Sequence, residues 1–176
     1  RNQQINIAFQ LVHASMWKLD QLYNLLSTDP SFNPFVVICP HAPAKESDQS
    51  DEYQRCLKLC IKNRYQFYGT KSEQLGKYKK LFQLDFPKPD IVFIQNAHER
   101  TLSEYKLDAW VKSIPCYTSY FFNCNINHAT NYATTFHLKL YKYFLESKWH
   151  EGKAKELIPC FYSNTDATGY PGLDRF

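Results

Sequence analysis

The fold prediction starts from Pro89-Asp90-Ile91-Val92-Phe93-Ile94-Gln95-Asn96-Ala97-His98-Glu99, where an apolar run stops in a group of hydrogen-bonding and titratable side chains. A short apolar run that follows a proline is typical of a parallel strand buried on both faces. Ligands of parallel sheets bind beyond the carboxyl ends of the strands. We therefore expect the polar end of this stretch to face a ligand: Gln95, Asn96, His98 and Glu99.

Further strand-like and helical patterns alternate along the chain. Strands are predicted at residues 5–12, 35–39, 65–68 and 114–117, in addition to 91–94. Helices are predicted over residues 19–26, 53–61, 75–82 and 131–147. Ser15 is the expected N-cap of the first of these, and a Thr101-x-x-Glu104 capping box is expected to open one further helix. This alternation predicts an α/β protein with a Rossmann-like parallel sheet of about five to six strands flanked by helices.

Composition limits the function classes. The chain has 176 residues, of which 44% are hydrophobic and 22% charged, as expected for one domain with a sizeable core. Its net charge of +4 is spread along the chain, so no nucleic-acid partner is expected. Lysines at 77–80 and 139–155 leave open a peripheral contact with an anionic membrane or a phosphorylated substrate, the alternative being solvated helix faces.

The six cysteines show no Cys-x-x-Cys spacing. We interpret them as reduced thiols of a cytosolic protein and expect Cys56 and Cys60 to pack in the core, so no metal site is predicted. No apolar stretch approaches the roughly 20 residues that cross a bilayer. Because the chain begins at Arg1 without a methionine and stops at Phe176, we expect it to be a piece of a longer protein.

Two common enzyme classes lack their motifs here. No Gly-x-Ser-x-Gly elbow of serine hydrolases and no Gly-x-Gly-x-x-Gly dinucleotide fingerprint occurs. With only five glycines, phosphate binding by a bare backbone loop is not expected either.

Several motifs, in their order and spacing, resemble the amino-terminal half of CDP-glycerol glycerophosphotransferase-like proteins, the bacterial teichoic-acid and capsule transferases. The motifs are Ser15-Met16-Trp17-Lys18-Leu19-Asp20-Gln21-Leu22-Tyr23, Phe32-x-Pro34-x-Val36-Val37-x-Cys39-Pro40, Pro89-Asp90-Ile91-Val92-Phe93-Ile94-Gln95, Ile114-Pro115-Cys116-Tyr117-Thr118-Ser119-Tyr120-Phe121 and Gly169-Tyr170-Pro171-Gly172-Leu173-Asp174. The chain lacks the His-Gly dipeptide that those glycerophosphotransferases use as a base, so the resemblance leaves the transferred group open.

The resemblance implies one half of a two-domain GT-B-type transferase. Residues 1–162 would be the acceptor-side domain, and 163–176 the start of a linker to an absent carboxyl-terminal domain that holds a nucleotide-activated donor. No cofactor is expected in the acceptor-side domain itself. The implied acceptor is a polysaccharide or a lipid-linked polymer, and the implied location is the cytoplasm at the inner face of the cell membrane.

His13 follows the first predicted strand, where a GT-B-type enzyme often carries an acceptor-facing group. It is the candidate catalytic base, which would take a proton from the acceptor hydroxyl. The candidate substrate-binding residues come from the ends of the same predicted strands: Ser15, Trp17, Gln95, Asn96, His98, Tyr117, Ser119 and Tyr120. Each also has a structural interpretation, such as a helix cap, a plain loop or an aromatic that packs in the core.

We therefore predict the acceptor-side domain of a glycosyl- or glycerophosphotransferase that builds a teichoic-acid-like or capsular polymer, inactive as an isolated domain. The alternative is a stand-alone flavodoxin- or receiver-like module that binds a ligand or regulates, without transferase activity. A structural scaffold is a third hypothesis, under which the polar clusters at the strand ends would have no role.

Overall fold

A computed structural model describes residues 4–42, 46–72, 77–98, 100–124, 132–158 and 163–174. Its strands are β1 (Ile5–Leu11), β2 (Phe32–Ile38), β3 (Phe67–Gly69), β4 (Ile91–Ile94), β5 (Ile114–Thr118), β6 (Lys142–Leu145) and β7 (Thr165–Ala167). All neighbouring pairs are parallel, in the order β3-β2-β1-β4-β5-β6-β7. The predicted α/β Rossmann-like class is confirmed, and β6 and β7 are the strands that the sequence analysis missed.

The central strands are apolar because helices or loops cover both of their faces. In β2, the four residues from Phe35 to Ile38 are all 0% exposed. One face packs against α1 (Asp20–Thr28) and α2 (Glu46–Asn63) through Phe9, Trp17 and Cys56. Burying side chains of this size stabilises the fold by about 1.5–3 kcal/mol each.

The opposite face of the sheet is covered by α3 (Thr135–Leu138), α4 (Lys148–Leu157) and irregular segments. Short 3-10 turns at Leu81–Gln83, Ser103–Tyr105 and Leu107–Ala109 take the place of longer helices in the two connections that lead into and out of β4. Leu81 and Trp110 fill part of this layer.

The strand order reverses between β1 and β4. Strands β2 and β3 lie to one side of this pair, and β5, β6 and β7 lie to the other. The connections that follow β1 and β4 therefore diverge, and a crevice opens between the carboxyl ends of these two strands. In open α/β sheets this switch point is the usual ligand site.

The predicted helix from residue 131 to 147 is wrong. Residue 131 lies outside the described residues; after it only Thr135–Leu138 is helical, and β6 follows at once. Aromatic residues spaced four apart suggested one helical stripe, but Tyr143 and Phe144 face opposite sides of the sheet. Tyr143 is buried with Leu145, whereas Phe144 stacks on Phe93 with ring centroids 6.1 Å apart.

Three local predictions need correction as well. Ser15 does not cap a helix: His13 is the N-cap of a 3-10 turn at Ala14–Met16, and Leu19 precedes α1 without a side-chain cap. Thr101 opens no α-helix, because its hydroxyl donates to the Pro40 carbonyl at 2.7 Å and ties this loop to the end of β2. Of the helix predicted at 75–82, residues 75 and 76 lie outside the described residues and the rest holds only a 3-10 turn.

The expected core packing of Cys56 and Cys60 is confirmed. Cys39, Cys56, Cys60, Cys116 and Cys124 are free, and Cys56 and Cys60 are fully buried against β1 and β2. Cys160 lies outside the described residues. Within the segment assigned to the start of a linker, Thr165–Ala167 forms the edge strand β7.

Candidate functional site

The turn after β1 carries a histidine that is held by a buried carboxylate. His13 Nδ1 lies 3.1 Å from Glu52 Oε1 and 2.9 Å from Ser15 Oγ. The Glu52 side chain, only 6% exposed, comes from the second turn of α2 and also accepts the Ala14 backbone N–H at 2.7 Å. α2 therefore fixes both the turn and the imidazole ring that projects from it.

Two contacts at Nδ1 of His13 favour different tautomers of the ring. The Ser15 N–H donates to Nδ1 at 3.3 Å, which uses the lone pair of that nitrogen. A carboxylate oxygen only accepts hydrogen bonds, so the shorter contact to Glu52, at 3.1 Å, favours a proton on Nδ1, and we assign this tautomer. With the proton on Nδ1, the lone pair stays on Nε2, to which no described residue hydrogen-bonds.

Ser15 is not an activated nucleophile in this arrangement. In a nucleophile–base–acid triad, the hydroxyl and the carboxylate occupy opposite nitrogens of the imidazole ring. Here Ser15 and Glu52 both lie at Nδ1 of His13. The free Nε2 is thus available to a ligand, and the ring, 28% exposed, can reach one.

A second histidine lies beside the first. The ring of His41, after β2, meets that of His13 edge-on with centroids 5.5 Å apart. Burial is the main cause that lowers the pKa of His41; His13 and Arg100 lower it further, while Glu52 opposes them. His41 is therefore favoured in its neutral form, which leaves it able to accept or donate a hydrogen bond.

Gln95 and Asn96 line a water-sized crevice of about 10 Å³ between β1 and β4, together with Gln10 and Met16. Asn96 Nδ2 lies 3.8 Å from Met16 Sδ, and its Oδ1 accepts the His98 N–H at 3.0 Å. Gln95 is 4% exposed, and its amide Nε2 has no hydrogen-bond partner in the part of the chain that the structure describes. An unpaired buried donor costs about 1–3 kcal/mol, so this amide is a candidate ligand contact.

His98, Ser119 and Tyr120 border a second water-sized cavity at the ends of β4, β5 and β6. His98 is exposed, whereas the Ser119 hydroxyl is held by the Phe121 carbonyl at 2.8 Å. Glu146, just after β6, also lines this cavity, and burial raises its pKa. A carboxyl group with a raised pKa beside polar strand ends is a candidate for proton transfer.

Two predicted binding residues lie in the core. Trp17 is 3% exposed and packs between Phe9 and Tyr65. Tyr117 is also 3% exposed and lies in the opposite core cluster, and burial raises its pKa. Their contact with a substrate remains a prediction, as does the role of Glu99, which lies outside the described residues.

The predicted residues outside the core thus form three groups. His13 and Ser15 lie with His41 and Glu52 at the ends of β1 and β2, and His98, Ser119 and Tyr120 lie around the ends of β4 and β5. Gln95 and Asn96 line the crevice at the switch point.

Glu52 and Glu146 are the residues that the sequence analysis missed. Glu52 stands four positions before Cys56, hence on the buried stripe of α2, and a carboxylate on an apolar stripe is a usable signal. Glu146 follows a strand that was predicted as helix, so nothing in the pattern identified it.

Within the described residues, no group of three or more histidine, cysteine or carboxylate side chains could hold a metal ion. The helices in the same part of the chain are all too short or too polar to cross a bilayer.

Comparison of the chain with protein-family models finds no match, and comparison with curated proteins finds none either.

Proposed function

We propose that this chain is the acceptor-side half of a transferase that moves a glycosyl or glycerophosphate group from a nucleotide-activated donor to a hydroxyl of a polysaccharide or lipid-linked polymer. His13 is the general base. The donor is held by a further domain. The motif resemblance supplies the donor and acceptor classes.

The contact between Glu52 and His13 carries the proposal. A base at neutral pH needs a bare nitrogen facing the substrate and a partner that stabilises the charge after protonation. Glu52 supports both conditions, because it favours a proton on Nδ1 and its negative charge lies 3.1 Å from the imidazolium that would form. Burial of this carboxylate strengthens the interaction relative to a surface ion pair.

The proposed step balances as follows. The acceptor hydroxyl gives its proton to His13 Nε2, and its oxygen forms the new bond to the anomeric carbon or the phosphorus of the donor. The bond to the nucleotide breaks, and the nucleotide phosphate leaves with the electron pair. Gln95 Nε2, unpartnered among the described residues, lines a crevice of the size of one water, and a water there would link it to an acceptor oxygen.

The test is a donor-dependent transfer assay on the full protein that carries this chain, with CDP-glycerol and a panel of nucleotide sugars against a membrane acceptor. We expect His13→Ala to reduce turnover by about 10²- to 10⁴-fold, the usual contribution of a general base. Lys58→Ala, on the exposed side of α2, is the matched control and should leave turnover unchanged.

Acceptor binding is measured in parallel. Lost turnover with retained acceptor binding supports the base assignment. Unchanged turnover in His13→Ala would remove it, and acceptor binding without transfer from any donor would favour the stand-alone binding module.

A further inference from the structure

A larger cleft opens at the other end of the sheet, away from the switch point. It has a volume of about 510 Å³ and lies beside Pro89 and Ser113, which precede β4 and β5. Its walls are the two connections that contain 3-10 turns in place of helices, residues 80–88 and 104–111. Sites for small ligands commonly have volumes of about 300–1,000 Å³.

The lining of this cleft is apolar and partly open to water. Trp110, 5% exposed, lies at its base, where its indole N–H donates to the Tyr105 carbonyl at 3.2 Å. Phe82 and Val111 stand at its walls with 82% and 70% of their surface exposed. Exposed aromatic and aliphatic side chains around a concave site are characteristic of a binding surface.

Positive charge surrounds the apolar lining. Lys80 and Lys88 border the cleft, and neither forms an ion pair within 4.0 Å in the described ranges. Four more exposed lysines lie on the same connections: Lys77, Lys79, Lys106 and Lys112. Among the described residues, four acidic side chains lie on the same connections: Asp108 is paired with Lys139 at 2.7 Å, Asp85 and Asp90 are exposed, and Glu104 borders the cleft, where hydrogen bonds mainly and Lys80 further lower its pKa.

We propose that this cleft binds one anionic amphiphile, a molecule with an unbranched apolar chain and a phosphate or carboxylate head group. The chain lies along Phe82, Trp110 and Val111, and the head group lies between Lys80 and Lys88. A neutral ligand would leave the excess of lysines over acidic residues around the cleft uncompensated, and a nucleic acid would not use the apolar base. This proposal does not depend on the transferase function.

The probe is dodecyl phosphate below its critical micelle concentration, titrated into the full chain by isothermal calorimetry. Dodecyl maltoside and dodecyltrimethylammonium carry the same chain with a neutral and a cationic head group. We expect saturable binding of one dodecyl phosphate, at least tenfold tighter than that of either comparator. Equal affinity for all three compounds, or no binding of dodecyl phosphate, would refute the proposal.

Substitutions test whether dodecyl phosphate binds in this cleft. Ala109→Phe fills the cleft and should weaken binding at least tenfold, and Lys80→Gln with Lys88→Gln should weaken it about five- to tenfold, since exposed charge pairs contribute modestly. Phe82→Ser tests the same wall at a highly exposed position, in case Ala109→Phe unfolds the protein. Leu25→Phe and Lys58→Gln, on helices of the opposite face, are matched controls, and weakening by them alone would contradict the location.

Vesicles separate the cleft from a flat membrane contact. Phosphatidylglycerol and phosphatidylcholine vesicles are compared by co-sedimentation with the same variants. Binding to anionic vesicles without any binding of monomeric dodecyl phosphate would overturn the proposal in favour of a membrane-facing surface. Vesicle binding that dodecyl phosphate abolishes by competition would support it.

Discussion

Replacement of Glu52 probes the element on which the candidate site depends. Glu52→Ala removes the acceptor of the Ala14 N–H, a bond of 2.7 Å to a charged group, and leaves space beside Cys56. Hydrogen bonds to charged groups contribute about 1.5–3 kcal/mol. We expect a loss of about 2–3 kcal/mol, seen as a drop in Tm of about 5–10 °C for a domain of this size.

Glu52→Gln keeps the size of the side chain and removes its negative charge. The amide oxygen still accepts the Ala14 N–H, so we expect a loss of only about 1 kcal/mol. Because the amide no longer carries a negative charge at Nδ1, the His13 proton should move towards Nε2. Two-dimensional ¹⁵N NMR of the imidazole reports the tautomer directly, independently of any enzymatic activity.

Urea unfolding gives the free energies, with the exposed Glu156→Ala as control. A loss for Glu52→Ala no greater than for Glu156→Ala would refute the anchoring of the turn. An unchanged His13 tautomer in Glu52→Gln would refute the electrostatic argument and remove the support for His13 as base.

Three further predictions concern stability. Burial lowers the pKa of His137 from 6.5 to about 4, so the stability that its neutral form contributes is present above pH 6.5 and is lost as the pH falls towards 4. Urea unfolding should show a loss of about 3 kcal/mol over this range, and His137→Phe should abolish it; an unchanged dependence of the unfolding free energy on pH in His137→Phe would contradict this. Gln95→Met removes a buried amide whose Nε2 is unpartnered among the described residues, and should stabilise the protein by up to about 1 kcal/mol while it weakens acceptor binding. Gln10→Met removes a hydrogen bond to the Tyr105 carbonyl and should cost about 1–3 kcal/mol in thermal melts; equal effects of the two variants on stability would contradict the different pairing of the two amides. Gly69→Ala would bring a Cβ to 2.6 Å from the buried Tyr53 hydroxyl and should cost about 1–3 kcal/mol in urea. Tyr53→Phe itself loses the bond from the Lys71 N–H, so the test is that Gly69→Ala costs less in the Tyr53→Phe background than alone; an equal cost in both would refute the clash.

The sequence analysis predicted strands from apolar runs between turn signals. β2 and β4 each contain four consecutive apolar residues; those of β2 are fully buried, whereas Ile91 and Phe93 of β4 are only partly buried. β6 has the same burial pattern as β4, but it begins with Lys142 and carries aromatic residues at helical spacing, so it was predicted as helix. The local sequence pattern alone therefore does not distinguish a strand such as β6 from a helix.

The candidate site was only partly predictable for a related reason. His13 and Gln95 follow apolar runs, so the end of each predicted strand identifies them. Glu52 lies in the middle of α2 and reaches the site only because β1 and β2 are neighbours in the sheet. Contacts between residues that are distant in the chain depend on strand order, which the pattern of one segment does not contain.

The anchoring of the turn after β1 by a carboxylate from α2 has an evolutionary consequence. Position 13 is constrained by position 52, because loss of the carboxylate leaves the imidazole and the Ala14 N–H without their shared partner, whereas Glu52 without His13 keeps the Ala14 N–H and Arg55. A substitution at position 52 should therefore be accompanied by one at position 13 among descendants of the same ancestor. A lineage that has abandoned the chemistry of this crevice should have lost both residues, with an apolar side chain at position 52 extending the stripe of Cys56 and Cys60.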